Sequence, residues 1–308
     1  MIVEVNDEAI KKVAEVLPKN FQPYNFSVEV PEGPITRILN YLGAVVALDY
    51  GFWRINGKQF VADYFSFNGE TLKGASYLWR IARAKFEEDP EFFTATRLAN
   101  LTFEEFITWI TDEKGNTFKF PEQRYWLLRD YGLKLLQLAD GLLYNIYRQA
   151  RGELGPILLK LENFEAYRDF PLFKKAHLLC KIASRRGLEF KETKYFPKLP
   201  PIDYHLMNLA WKLQLVTVPQ SIEKYFINYQ PIPEQIELLF RWECAKAYRK
   251  LAELSQYDPY ILDDIFWRNS RMHCQNLPYN CSQCLFKNVC PSKNGRKVGF
   301  PVVETYRY

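Results

Sequence analysis

The chain has 308 residues, enough for one large domain or two ordinary ones. Apolar residues make up 48% and charged residues 25%, a balance that excludes a disordered chain. The net charge of +5 permits contact with a phosphate but does not suit a long nucleic-acid track.

The elements read as mostly helical. The N-terminus, Met1 to Ile10, is acidic and lacks the basic-then-apolar order of a signal peptide. Asp7 is placed to cap a helix in which Ile10, Val13, Ala14 and Leu17 share one face. The longest apolar stretch, Tyr41 to Tyr50, is too short to span a bilayer and contains Asp49. No membrane association is expected, and a cytoplasmic location with reduced thiols is. The β signal is confined to Trp53–Phe60, where Asn56-Gly57 marks a type I′ hairpin turn, with alternation running on to Tyr64. Thr102 and Glu105 have capping-box spacing ahead of Phe106, Ile107 and Ile110. A single helix is expected from Glu122 to Arg151, with a stripe of Trp126, Leu127, Leu133, Leu136, Leu143 and Ile146 and a stop at Gly152. Pro171 is placed to open a helix that Gly187 closes. Further helices are expected over Asp203–Leu215, Pro233–Leu254 and Pro259–His273. The expected domains are residues 1–270, helical and open to division into two lobes around a cleft, and residues 271–308, a cysteine loop and tail.

Four of the six cysteines are bunched as Cys274, Cys281, Cys284 and Cys290. A disulfide framework is not distributed in this way. Four thiolates in a short loop can close around one soft metal centre. Zinc sites usually show two close pairs, and only Cys281/Cys284 is one here. Cys180 and Cys244 lie on apolar helix faces and read as buried small hydrophobes.

Asp203 follows the rigid turn Pro200-Pro-Ile202 and opens a helix. A helix N-terminus favours a charged carboxylate, so from periodicity alone Asp203 reads first as an N-cap and second as a poised catalytic anion. No Walker-type or Gly-x-Gly-x-x-Gly loop occurs, which argues against ATP or dinucleotide chemistry.

Several segments resemble, in order, the queuosine salvage family, enzymes that hydrolyse queuosine 5′-phosphate to free queuine. These are Leu48-Asp-Tyr-Gly-Phe-Trp53, with Asp49 where the family has Asn; Glu122-Gln-Arg124; Phe164-Glu-Ala-Tyr-Arg-Asp169; Phe173-Lys-Lys-Ala-His177; Asp203-Tyr-His205; and Leu262-Asp-Asp-Ile-Phe-Trp267. They span about residues 45 to 270. The resemblance implies a mostly α fold related to the helix-hairpin-helix DNA glycosylases, with a small β-hairpin in the N-terminal third and a C-terminal metal-binding loop. It implies an N-glycosyl hydrolase in which Asp203 is the catalytic carboxylate and Asp263 helps to hold the base. Pro201-Ile-Asp-Tyr-His205 also resembles the catalytic element of archaeal 8-oxoguanine glycosylases. The cysteine loop lies outside the salvage pattern and is similar to the loop that ends DNA glycosylases of the endonuclease III type. That likeness favours a [4Fe–4S] cluster over zinc, held by Cys274, Cys281, Cys284 and Cys290.

The expected chemistry follows from the substrate. Breaking an N-glycosidic bond builds positive charge on the sugar, which Asp203 can stabilise, or Asp203 can orient water. A 7-deazaguanine has a donor edge for Asp49 and Asp263 and a face for Trp53, Tyr204 and Trp267. Arg168 and Lys175 are candidates for a 5′-phosphate, although Arg168 beside Asp169 reads equally as an internal ion pair. Lys174 and Lys175 also read as a solvated helix face, and His177 as structural. The expected partner is a small-molecule nucleotide, and no protein partner is implied. The alternative is an iron–sulfur DNA glycosylase or lyase with DNA as partner and Lys175 as nucleophile. A third reading, a non-catalytic nucleic-acid binder of the same shape, requires Asp203 to be dispensable.

Overall fold

A computed structural model describes residues 3–275, 278–292 and 298–307, so parts of the expected 271–308 segment lie outside the described residues. In chain order the elements are β1 (Glu4–Val5), α1 (Asp7–Val16), α2 (Ile35–Leu48), β2 (Trp53–Asn56), β3 (Gln59–Ala62), β4 (Tyr64–Phe67), β5 (Glu70–Lys73), α3 (Gly74–Glu88), α4 (Ala95–Ala99), α5 (Phe103–Ile110), α6 (Pro121–Ala139), α7 (Leu143–Gln149), α8 (Leu154–Leu161), α9 (Lys174–Ser184), α10 (Tyr204–Lys212), β6 (Val216–Thr217), α11 (Gln220–Ile227), α12 (Glu234–Ser255) and α13 (Pro259–Asn269). The fold is mostly α with small antiparallel strand pairs, as expected. The chain forms two compact units. One comprises residues 1–24, 55–61 and 198–304, the other residues 25–54, 62–197 and 305–308.

Helix α2 is the core of the second unit. The apolar run that is too short for a membrane is buried without a break from Ile38 to Leu48. Each large side chain buried there contributes about 1.5–3 kcal/mol. Helices α6, α7 and α9 pack around it. Gly43 admits Tyr131, whose hydroxyl donates to the Asn40 carbonyl at 3.2 Å, and the Tyr167 hydroxyl donates to the Gly43 carbonyl at 2.6 Å.

The expected helix from Glu122 to Arg151 is two helices. Asp140 and Gly141 are both left-handed, and Gly141 N–H donates to the Leu135 carbonyl at 2.9 Å, which ends α6. Buried Asn40 of α2 secures the break: its amide donates to the Gly141 carbonyl and its oxygen accepts from Leu143 N–H. The expected stripe is also rotated. Trp126 is 60% exposed, and Leu133 and Leu136 are exposed, whereas Arg124, Leu127, Leu128, Tyr131 and Leu135 face the core. The Arg129 guanidinium lies over the Trp126 ring at 5.6 Å, a contact available at the surface.

Other boundaries shift for local reasons. Asn6, not Asp7, caps α1, its side chain accepting from Ala9 N–H at 3.1 Å. Helix α9 begins at Lys174 rather than Pro171, because Phe173 is left-handed and Asp169 caps the helix by accepting from Lys174 N–H at 2.8 Å. The Phe170–Pro171 peptide is cis. Helix α13 ends at Asn269 and gives way to a π-helical turn, Ser270–Cys274. The capping box at Thr102 and Glu105 forms in full. The hairpin β2–β3 forms, but not on the expected type I′ turn at Asn56-Gly57: Asn56 ends β2, the loop is Gly57-Lys58, and Gly57 alone of these has positive φ. A second hairpin, β4–β5, turns on Asn68-Gly69, both at positive φ. Among the described residues no helix is long and apolar enough to cross a membrane.

In the other unit, β1 pairs with β6, and helix α12 packs against α1, α10 and α13. Helix α10 is buried from His205 to Lys212.

One prediction tests the packing around α6. A Cβ on Gly132 would stand 2.5 Å from the Ala99 amide nitrogen and 2.8 Å from the Ala95 carbonyl of α4. Ala is intrinsically better than Gly in a helix by about 1 kcal/mol. Overpacking against backbone costs about 1–3 kcal/mol and wins here. Gly132→Ala should therefore lower stability in urea unfolding, and a rise in the midpoint would contradict the packing.

Candidate functional site

The first unit holds the carboxylates expected to do the chemistry. Asp203 is the N-cap of α10, with Oδ1 accepting from His205 N–H at 2.8 Å and Leu206 N–H at 3.1 Å. It is buried, as is Asp263 on α13. Tyr248 of α12 brings the two into one environment. Its hydroxyl donates to the Leu206 carbonyl at 2.9 Å. Burial pushes this phenol well up, and the charges of Cys244, Asp203 and Asp263 add to the rise. The anions therefore lie within electrostatic reach of one buried ring.

Rings gather beside Asp203. Tyr204 lies 5.9 Å from Phe60 and 5.8 Å from Phe300, centroid to centroid, and 4.4 Å from the His205 ring. His205 in turn meets Trp267 edge-on at 6.0 Å, and the Arg271 guanidinium covers Trp267 at 4.8 Å. Tyr204 and Trp267 are half-buried and so retain accessible ring surface. Phe60 and Phe300 are not marked by the sequence, because they come from a hairpin and a C-terminal segment with no motif of their own.

The cysteine loop is tied to the far end of the same helix. Lys212, 1% exposed, donates to the Cys274 carbonyl at 3.0 Å and lies 3.6 Å from the Tyr279 ring centre. Asn208 also donates to the Cys274 carbonyl, at 3.2 Å. The Cys290 thiol and the Ser292 hydroxyl donate to the Lys212 carbonyl. All six cysteines are free thiols, and Cys180 and Cys244 are buried as expected. Cys274, Cys281, Cys284 and Cys290 interact as one cluster. A hydrogen bond with Cys284 brings Cys274 down to about 7, and Cys284 is raised by the same bond. Burial pushes Cys290 up to about 11, with the Cys274 and Cys281 charges adding to it. Burial lowers Lys212 to about 8, against the pull of Cys274, Cys290 and Cys281. Among the described residues no group of three or more His, Cys, Asp or Glu side chains is arranged to hold a metal ion. The donor set itself, all sulfur and mutually interacting beside a buried cation that offsets thiolate charge, fits a soft polynuclear group.

The second unit holds the remaining candidates. Asp49 caps the C-terminal end of α2, and its Oδ2 accepts from the Trp79 indole N–H at 3.1 Å. Trp53 is buried, and its carbonyl accepts from Lys119. Arg168 is an ion-pair residue, but with Glu165 rather than Asp169, at 2.8 Å, and its side chain remains 54% exposed. Lys175 is not on a solvated face. It is 0% exposed, and its ammonium donates to the carbonyls of Ala47 at 2.7 Å and Tyr306 at 2.6 Å. It also lies 4.6 Å from the centre of the Tyr50 ring. Burial holds its pKa well below the usual lysine range, and Lys174 and Arg124 push it the same way. Lys174 is buried too.

Arg124, which the sequence marked only as part of a motif, proves to be fully buried beside Asp49. It donates to the carbonyls of Lys119, Leu48 and Tyr50. A hollow of about 730 Å³ elsewhere in this unit is lined by Phe67, Tyr77, Lys85, Phe92, Arg97 and Trp109 among others, and by none of the candidate residues.

Residues 30–182 match the family model described as queuosine salvage protein. The match falls almost wholly in the second unit and stops short of Asp203, Asp263 and the cysteine loop. Comparison with curated proteins gives no match. Among solved structures, the 8-oxoguanine DNA glycosylase from Pyrobaculum aerophilum, complexed with 8-oxoguanosine, is similar at 16% identity. The alignment covers 88% of this chain and 92% of that one, with a TM-score of 0.42.

His177 offers a test of how dry the α9 environment is. Burial depresses it from 6.5 to about 3, so the folded protein holds it neutral where the unfolded chain protonates it. Its contribution is complete above pH 6.5 and is lost as pH falls toward 3, at up to about 1.4 kcal/mol per unit. The stability of His177→Asn relative to the native protein should therefore rise steadily as pH drops from 6.5 to 4.5. Parallel pH profiles would contradict this.

Proposed function

Because residues 30–182 match the family model described as queuosine salvage protein, we propose that the chain is an N-glycosidase. It hydrolyses queuosine 5′-phosphate to queuine and ribose 5-phosphate. The observation that carries this reading is Asp203 itself, a buried carboxylate fixed by two main-chain N–H groups at the start of α10 and, like Asp263, within electrostatic reach of Tyr248. Those bonds and the helix dipole favour the anion. As the bond from base to C1′ stretches, positive charge develops on the sugar, and a fixed anion stabilises it without reorganising. The same carboxylate orients water for attack on C1′.

The substrate-binding residues proposed are, in the first unit, Asp263 as acceptor for the donor edge of the base with Tyr204 and Trp267 as aromatic surface, and, in the second unit, Asp49 as acceptor and Trp53 as aromatic surface. Arg168, half-exposed, serves the phosphate. The ammonium of Lys175 is committed to main-chain carbonyls and acts on the wall of the site rather than on the phosphate. Cys274, Cys281, Cys284 and Cys290 hold a [4Fe–4S] cluster that stabilises the C-terminal loop and takes no part in hydrolysis.

One observation favours a second reading, an iron–sulfur DNA glycosylase or lyase: burial holds Lys175 well below the usual lysine range, the direction of shift that a Schiff-base nucleophile needs. Full burial of Lys175 opposes it.

The readings separate on incubation of the protein with queuosine 5′-phosphate and, in parallel, with duplex DNA bearing 8-oxoguanine or uracil. Release of queuine, reduced on the order of 10²–10³-fold in Asp203→Asn, is expected. Base release from DNA alone, with a borohydride-trapped adduct lost in Lys175→Ala, would overturn the hydrolase in favour of the second reading. Separately, aerobically purified protein should be brown and contain iron, and colourless protein containing zinc would rule out the cluster.

A further inference from the structure

We propose that Arg124 is a positioning residue for Asp49, acting through the main chain on either side of it. The inference rests on the base-reading role given to Asp49 above and deepens it. A helix end leaves its last carbonyls without partners, and α2 ends inside the unit rather than at its surface. Two of these carbonyls, and that of Tyr50 just beyond the helix, are met by buried cations: Lys175 serves Ala47, and Arg124 serves Leu48 and Tyr50.

The Arg124 fork therefore grips the residue before Asp49 with one terminal nitrogen and the residue after it with the other, the second at 2.5 Å. Its Nε donates to the Lys119 carbonyl at 2.9 Å, which fixes the plane of the guanidinium. Three rings sandwich that plane, Tyr50 at 4.0 Å, Phe52 at 4.8 Å and Phe118 at 5.1 Å from their centres. With both flanking peptides held, the direction in which Asp49 leaves the chain is set. The Trp79 indole then fixes the carboxylate by one oxygen at 3.1 Å.

The planar fork puts a separate terminal nitrogen on each carbonyl in a fixed geometry. A lysine ammonium, a point charge on a flexible stem, does not reproduce that two-point grip. Loosening the grip should shift the Asp49 carboxylate while leaving Asp203 untouched. The effect expected is on substrate binding, not on bond cleavage. A residue that merely fills the core would change stability without that selectivity.

The experiment is a double-mutant cycle of Arg124→Lys with Asp49→Asn, read as KM and kcat for queuosine 5′-phosphate. Arg124→Lys should raise KM roughly ten- to a hundredfold with kcat nearly unchanged. Asp49→Asn should raise KM as well, and the double variant should be no worse than Asp49→Asn alone. If Asp49→Asn raises KM but folded Arg124→Lys does not, or if the two effects multiply, Arg124 does not act through Asp49 and the inference falls. If Asp49→Asn leaves KM unchanged, the role of Asp49 falls and the inference with it. Should Arg124→Lys fail to fold, Phe118→Leu removes one ring from the sandwich and keeps the fork. A smaller rise in KM, again absent with Asp49→Asn, supports the inference, and an unchanged KM overturns it.

Discussion

Each unit depends on buried cations that give their donors to main-chain carbonyls. Taking a charge out of water costs several kcal/mol, so such a group persists only where its hydrogen bonds are complete. Arg124 and Lys175 meet that condition at the C-terminal end of α2, where the helix dipole is negative and the carbonyls lack helical partners. Lys212 meets it near the end of α10, through the Cys274 carbonyl and the face of Tyr279. The three differ in what they fix. Arg124 and Lys175 hold the segment that carries Asp49, while Lys212 holds the loop that carries the cysteines. None of the three needs a carboxylate partner, because carbonyl oxygens and ring faces replace the lost water.

Helix α10 is the corresponding constraint in the first unit. One face after another of this helix is buried, so neither end can move without disturbing the core. Asp203 at its start and Lys212 at its last turn are therefore fixed relative to one another. A change in the cysteine loop acts on Lys212 and Asn208, and both belong to the helix whose first turn holds the candidate catalytic carboxylate. The cysteine loop thus seals and stiffens the helix that carries Asp203, a structural role that the proposed cluster would serve without any redox step.

Local signals in the sequence were informative where they depended on neighbours in the chain. The Thr102–Glu105 box, the hairpin at Gly57 and the stop before Gly152 each use chemistry within four residues. Asn68-Gly69 carries the same dipeptide signal as Asn56-Gly57 but lies beyond Tyr64, where the expected β region ends, and it turns the second hairpin. The Glu122–Arg151 helix was read through Asp140-Gly141 because the apolar spacing resumes at Leu143, and the break depends on Asn40, a hundred residues away. Lys175 was read as solvated although Leu179, Ile182 and Ala183 share its buried face. Arg124 likewise stands in helical register with Leu127, Leu128, Tyr131 and Leu135. A cation at core spacing was the available sign in both cases, and it means that the side chain has found carbonyls. The fold class is legible in pattern, whereas the resemblance to the salvage family is carried only by the order of short motifs, which spacing and composition do not supply.

The central claim is that a fixed carboxylate at the start of α10 stabilises positive charge on the sugar as the base departs. The most direct measurement is single-turnover release of queuine from queuosine 5′-phosphate bearing deuterium at C1′. Charge at C1′ flattens that carbon and loosens its C–H bending, so the account predicts slower release from the deuterated substrate. Equal rates with bond cleavage rate-limiting would contradict it.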